Sequence, residues 1–261
     1  MENFENTRQT NYTIAEGYEL PSKGKIYGVA VNPHVELRSM SARDEMKRLS
    51  PSSTQFKKLA DIIEGCMIEK PAVHVYDMAL GDYEFLLHKL RIVTYGSKYK
   101  MGLACPHCGT PFESDADLEQ LEITDFDEEK FESLRSFILP KSGDSIKIKF
   151  QTPRMLDDVE LQTKEAKRKF KSTDIDFDIL FLLKNVIDEV NGNKLSPEKL
   201  ETYINNLPAM DLIKIINNLD ALNACVGING NGKLVVDCPN CGGEVLTSFR
   251  FGPEFFRPTN I

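Results

Sequence analysis

Apolar residues recur at helical spacing along much of the chain, and shorter alternating runs separate those stretches. Ser41-Ala-Arg-Asp44 reads as a capping box that opens a short helix to about Leu49. Phe56, Leu59, Ile63, Cys66 and Met67 predict a second helix, with Ser52 or Ser53 as its cap and Pro71 closing the region. Tyr83, Leu86, Leu87, Leu90 and Val93 predict a third, which Asp82 would cap and Gly96 would stop. Later helices are predicted from Leu156 to Lys171, along Ile179, Leu182, Leu183, Val186 and Val190, and after Ser196-Pro197, which pairs an N-cap with proline at the first helical position. A last one runs from Pro208 through Leu212, Ile215, Ile216, Leu219 and Leu222.

Extended segments show a different pattern. Tyr18-Glu-Leu-Pro-Ser-Lys-Gly-Lys-Ile-Tyr27 carries a turn at Pro21 and Gly24 and leads to Val29–Val31 and Val35–Leu37. Phe137–Pro140 and the alternating Ile146–Phe150 flank Lys141-Ser-Gly-Asp144 and predict a hairpin. The first sixteen residues are polar and aperiodic and read as a flexible arm. The end, Phe249-Arg-Phe-Gly-Pro-Glu-Phe-Phe-Arg-Pro258, holds four phenylalanines and two prolines. Regular structure is disfavoured there, and the aromatic rings either cover the protein's own core or meet another subunit.

One repeated motif changes this picture. Cys105-Pro106-His107-Cys108-Gly109 and Cys238-Pro239-Asn240-Cys241-Gly242 each put two thiolates on a tight turn. Proline fixes φ at the first step, and glycine after the second cysteine accepts positive φ. Cys105, Cys108, Cys238 and Cys241 together supply the paired soft ligands that tetrahedral Zn²⁺ prefers. Short strand-like runs flank both motifs, so each reads as the knuckle at the tip of a hairpin: a zinc ribbon split by a long insertion. Four thiolates leave no open coordination position, which makes the zinc structural rather than catalytic. Two disulfides, a redox C-x-x-C, two separate metal sites and a metal shared between chains are the competing readings. Cys66 and Cys225 read as small core residues and His107 as solvent-facing. Lys98, Lys100, Lys233 and Arg250 stand near enough in sequence to offset the charge of a tetrathiolate centre.

Composition narrows the function. The 261 residues are 41% hydrophobic and 28% charged, with a formal net charge of −8, ordinary for a soluble globular protein and unfavourable for non-specific nucleic-acid binding. No run approaches a membrane span, and reduced cysteines with no secretory signal fit synthesis in a cytoplasm. Acidic residues crowd Glu113 to Glu132, either a solvated connection with a short helix or a docking surface for a basic partner. The basic counterpart is Lys164, Lys167, Arg168, Lys169 and Lys171, read as a solvated helix face without the interleaved aromatics that would stack bases. Asp174 to Asp178 resembles the opening of a calcium loop, but Ile179 and Asn185 stand where glycine and glutamate are required, so these acids are helix caps. His34, His74, His88 and His107 are scattered, with His88 near an apolar helix face, and no nucleophile elbow, zinc-protease helix or dinucleotide fingerprint occurs. The expectation is a non-enzyme.

The elements add up to an α+β fold: a helical body with a split zinc ribbon and a small β-hairpin in a largely helical insertion. The expected organisation is an arm (1–17), a β-turn segment with a helical region (18–95), a discontinuous ribbon (96–115 with 230–250), the insertion (116–229) and an aromatic tail (251–261).

Several of these pieces, taken in order, resemble the baseplate hub subunit family of T-even-type contractile-tailed bacteriophages, also described as hub assembly proteins or chaperones. They are Leu20-Pro-Ser-Lys-Gly-Lys-Ile-Tyr27, Ser39-Met-Ser-Ala-Arg-Asp-Glu45, Leu80-Gly-Asp-Tyr-Glu-Phe-Leu86 leading to Arg91-Ile-Val-Thr-Tyr-Gly96, the two knuckles, and Leu207-Pro-Ala-Met-Asp211. The resemblance covers most of the chain apart from the arm and the tail. It implies a non-enzymatic part in building a tail baseplate, with other tail or baseplate proteins as partners, in the host cytoplasm during assembly or in the virion. A zinc-ribbon nucleic-acid-binding or transcription-associated factor is the alternative.

Overall fold

The computed structural model describes residues 14–170, 176–228, 233–248 and 253–256. Its first sheet pairs β1 (Ala15–Glu19) with β2 (His34–Arg38), antiparallel, with Tyr18 opposite Val35. The arm expected over residues 1–17 is therefore too long: Ala15, Glu16 and Gly17 belong to a strand, because the β2 backbone satisfies their polar groups. Residues 1–13 lie outside the described residues.

Helix α1 (Ala42–Leu49) begins at Ser41 with the capping box complete. Helix α2 (Gln55–Cys66) starts at Thr54, which makes no side-chain cap bond, and neither Ser52 nor Ser53 caps it. The cap comes from elsewhere in the chain. The buried Asp157 of α5 (Pro153–Lys169) accepts from the Phe56 and Lys57 backbone N–H groups at 3.4 and 2.8 Å and from the Tyr76 hydroxyl at 3.0 Å. Local sequence shows no trace of a cap supplied a hundred residues away. Helix α2 stops at Cys66 because Met67 turns extended and bridges Leu37 of β2.

Helix α3 (Leu80–Tyr95) is buried on almost every side and ends at Gly96, whose φ of 84° suits glycine. Its N-cap is Ala79, not Asp82. Asp82, fully buried, binds the 20–27 loop instead: it accepts from the Ser22 backbone N–H at 3.0 Å, from the Ser22 hydroxyl and from the Tyr27 hydroxyl. The first core lies between β1, β2, α2 and α3, around Leu37, Leu59, Ile63, Leu86 and Leu90.

The middle of the chain builds a second core. Helix α4 (Glu128–Arg135) runs into β5 (Ser136–Ile138), which pairs with β6 (Ser145–Ile148) as the expected hairpin. A third strand, β7 (Ile187–Val190), adds to β6. The helix expected to reach Val190 therefore ends earlier, as α6 (Phe177–Val186), and the hairpin becomes a three-stranded sheet. Apolar residues at 187 and 190 fit either period, and pairing with β6 decides for the strand. Helices α7 (Pro197–Asn205) and α8 (Ala209–Asn223) complete the layer, with Ile146, Ile148, Leu183, Ile215 and Leu219 inside. The buried Asp211 of α8 holds the β5–β6 turn by accepting from the Lys141 and Ser142 backbone N–H groups at 2.8 and 2.9 Å.

The two cores meet at the start of α3. A Cβ on Gly81 would stand 2.0 Å from the Val226 carbonyl oxygen, so only glycine allows this approach. The Leu80 N–H donates to the Gln151 carbonyl across the same junction, at 2.8 Å. Among the described residues no helix is long and apolar enough to cross a membrane.

Candidate metal centre

Helix α3 delivers the chain straight into β3 (Lys98–Ala104), which pairs with β4 (Pro111–Asp117). Arg91, almost completely buried, fixes that delivery. Its guanidinium donates to the Gly96 and Lys98 carbonyls at 2.9 and 3.4 Å and lies over the Tyr95 and Tyr99 rings. The second hairpin pairs β8 (Lys233–Asp237) with β9 (Glu244–Ser248). A third core seats both hairpins on the body through Ile92, Met101, Leu118, Ile228 and Phe255. Pro253–Phe256 forms a 3-10 turn, against the expectation of no regular structure. Phe255 stacks on Tyr99 with ring centroids 5.5 Å apart, and Phe256 enters the first core, so these two rings cover the protein's own interior. Phe249 and Phe251 lie outside the described residues.

Each hairpin ends in its cysteine loop, and the two loops repeat one backbone pattern. The Cys105 N–H donates to the Thr110 carbonyl and the Gly109 N–H to the Cys105 carbonyl, at 3.1 and 2.9 Å. In the second loop the Cys238 N–H donates to the Gly243 carbonyl and the Gly242 N–H to the Cys238 carbonyl, at 3.0 and 2.8 Å. Gly109 and Gly242 take φ of 73° and 69°, the conformation their position in the motif requires. The loops face each other, and the four sulfurs of Cys105, Cys108, Cys238 and Cys241 all lie within 4.8 Å of one another. Cys105 and Cys238 are buried, while Cys108 and Cys241 are exposed.

The residue between proline and the second cysteine reaches across in each loop. His107 Nε2 lies 3.0 Å from the Glu244 carbonyl oxygen. A Cβ on Gly243 would stand 2.6 Å from the His107 ring, too close for any residue but glycine without a shift. Asn240 Nδ2 points back to Cys108 Sγ at 3.7 Å and to Thr110 Oγ1 at 3.2 Å. His107 is exposed, as expected, yet it braces the opposite loop; the sequence alone gives no sign of a contact across more than a hundred residues.

The donor set suits a soft divalent cation. Hydrogen bonds from the Thr110 side chain and backbone and from Asn240 push the Cys108 thiol down to about 5, so it carries charge at neutral pH. Cys241 behaves oppositely. The Gly243 backbone N–H favours its thiolate, yet the three neighbouring sulfurs push it up to about 12. Four ionised sulfurs packed this closely repel one another unless a cation sits between them. These side chains therefore fit a tetrathiolate-bound metal.

The other chemistry-bearing residues lie apart from this centre. Lys98 pairs with Asp117 at 3.0 Å, at the end of the hairpin remote from the cysteine loop, and does not offset charge at the sulfurs. Arg250 lies outside the described residues. Cys66 and Cys225 are buried in the first and second cores. His88 is buried in α3, with Nε2 2.9 Å from the Leu118 carbonyl, and burial pushes it down to about 4. His74 accepts the Tyr76 N–H at Nδ1, which leaves the proton on Nε2, facing Glu64 at 3.2 Å and Asp61 at 3.6 Å. In that tautomer the nitrogen facing the carboxylates is a donor and offers no lone pair to a metal.

Fold and site together define a mixed helix-and-small-sheet protein, two distant parts of which are drawn together at a four-cysteine cluster. The chain belongs to the family described as T4 bacteriophage base plate protein, whose model matches residues 12–257. No curated protein and no solved structure matches it. Membership supports a structural or assembly role in the tail baseplate, with tail and baseplate proteins as partners.

Proposed function

We propose that this protein is a non-enzymatic component of the baseplate hub of a contractile phage tail, acting structurally or as an assembly chaperone, and that one Zn²⁺ held by Cys105, Cys108, Cys238 and Cys241 closes a split zinc ribbon. The observation that carries the metal assignment is the convergence of four cysteine sulfurs from two matched loops on one point. Family membership carries the assignment to the baseplate. A tetrathiolate zinc has no open position for substrate, so its contribution is to folding.

The charge distribution speaks against a ribbon that binds nucleic acid. On the exposed face of the first hairpin Lys98 and Lys100 stand opposite Asp117 and Asp115, which leaves no basic stripe there, and the net charge of the chain is −8. Elemental analysis of the purified protein is expected to give one zinc per chain. Deleting the gene from its phage is expected to yield tails with defective baseplates by electron microscopy, restored by the wild-type gene and not by Cys105→Ser. Normal tails without the gene would remove the baseplate assignment, and a metal-free, fully folded chain would remove the zinc.

A further inference from the structure

A cleft lies away from the cysteines, on the open face of β1 and β2. It encloses about 660 Å³, room for several side chains. Its floor is the sheet itself. Gly17 has nothing within 4 Å of where a Cβ would stand, and Ile68, whose N–H donates to the Glu36 carbonyl at 3.0 Å, is 54% exposed beside it. Glu19, Glu36 and Glu69 surround this floor, and none has a cationic partner among the described residues. Lys70 and His34 are the cleft's opposing groups, and one lysine leaves the three carboxylates in excess. Ala30, Ile68, Pro71 and Ala72 supply apolar wall beside these uncompensated carboxylates, and the combination fits a segment that joins an apolar tip to two or three cations.

The same chain carries such a segment. The last turn of α5 holds Lys167, Arg168 and Lys169, and the helix ends at Phe170, a phenylalanine 51% exposed. Lys167 reaches Asp178 only at 3.5 Å, and Arg168 has no carboxylate partner among the described residues. Phe170 packs on Phe177 with centroids 6.0 Å apart, which steadies the ring at the helix end.

We propose that the cleft on β1 and β2 is the docking site for the basic, Phe170-tipped end of α5 from a second copy of this chain. The contact is heterologous: a cleft on one copy meets a helix end on the next, so each copy keeps a free cleft or helix end unless the rotation closes a ring. A helix end in a cleft buries less than a standard interface, so the association is weak and falls with salt.

Sedimentation velocity of the full chain, from micromolar to about millimolar concentration, tests this. Reversible association at low salt, lost at moderate salt, is expected. Glu36→Lys with Glu69→Lys, and separately Arg168→Glu with Lys169→Glu, should each weaken it by about tenfold or more. Mixing the two variants should restore association, because each then presents a partner of opposite charge. All these residues are exposed, and circular dichroism verifies that the variants fold. A chain that stays monomeric at low salt, or one whose association survives the cleft reversal, overturns the proposal. So does a monomer whose cleft binds a synthetic Ala-Lys-Arg-Lys-Phe peptide, a result that assigns the cleft to a basic segment of another protein. The outcome is independent of the metal assignment, since neither surface touches the cysteine loops.

Discussion

Ser22 and Asp82, sixty residues apart, are joined twice: the Ser22 backbone N–H and hydroxyl each donate to a different carboxylate oxygen of Asp82, and both residues are fully buried. Tyr27 adds a third donor to the same carboxylate, and its hydroxyl oxygen accepts from the Ala79 N–H at 3.2 Å. Asp82 is thus the anchor of the 20–27 loop. Gly24 makes the loop possible, because a Cβ there would stand 2.4 Å from the Val31 carbonyl oxygen. Burial raises the Asp82 carboxyl, and the three donors pull against that rise.

Removing the anchor is costly. Asp82→Ala is expected to destabilise the protein by about 3 kcal/mol and Tyr27→Phe by about 1 kcal/mol in urea unfolding. The double variant should lose less than the two added together, because both act on one network. Strict additivity would show that the loop is held by other contacts.

The same residue type has opposite value at two positions. Gly81→Ala drives a methyl into the Val226 carbonyl and should cost about 3 kcal/mol or more. Gly65→Ala, in α2 with open space around it, should gain about 0.5–1 kcal/mol from helix propensity. Thermal unfolding of the two variants checks the sign of each.

Acid acts through His88. Burial holds its folded value at about 4, below the ordinary 6.5, so the neutral ring is the one that fits the fold. Stability from this group is complete above pH 6.5 and is lost as pH falls through 4, amounting to about 3 kcal/mol by pH 4. NMR of the imidazole should show His88 still neutral at pH 5. A ring that titrates near 6.5 would place it in contact with water.

Glu84 works in the other direction on the same helix. Burial raises it to about 7, so its contribution is complete below pH 4.5 and is lost as pH rises through 7. Glu84→Gln is expected to stabilise the chain by about 1–2 kcal/mol at pH 8 and to change little at pH 4. Equal effects at the two values would contradict a raised, partly buried carboxyl.

For the cysteines the expected contrast is categorical. Cys105→Ser and Cys238→Ser should abolish stoichiometric zinc and cost about 4 kcal/mol or more, whereas Cys225→Ala should keep the metal. Elemental analysis and urea unfolding read both.

Legibility in the sequence followed the range of each interaction. The capping box at Ser41, the stop at Gly96, the Ser196-Pro197 start and both cysteine loops depend on residues within a few positions, and each stands where the local pattern put it. Misreadings arose where a partner lies far away. Asp82 has the form of a helix cap but binds a loop sixty residues earlier. Helix α2 lacks a local cap because Asp157 reaches in from α5. Val190 left a helical pattern for a strand because β6 offered a free edge. The sequence marks His107 only as solvent-facing and Asn240 not at all, and the meeting of the loops reveals them as mutual braces.

That meeting also has an order in time. A ribosome releases Cys108 some 130 residues before Cys238, and Cys105 136 residues before Cys241, so the first hairpin must wait through the synthesis of the whole middle layer before its counterpart arrives. Joining the two loops is therefore a late event on the growing polypeptide, and products that terminate early are left with half a clasp.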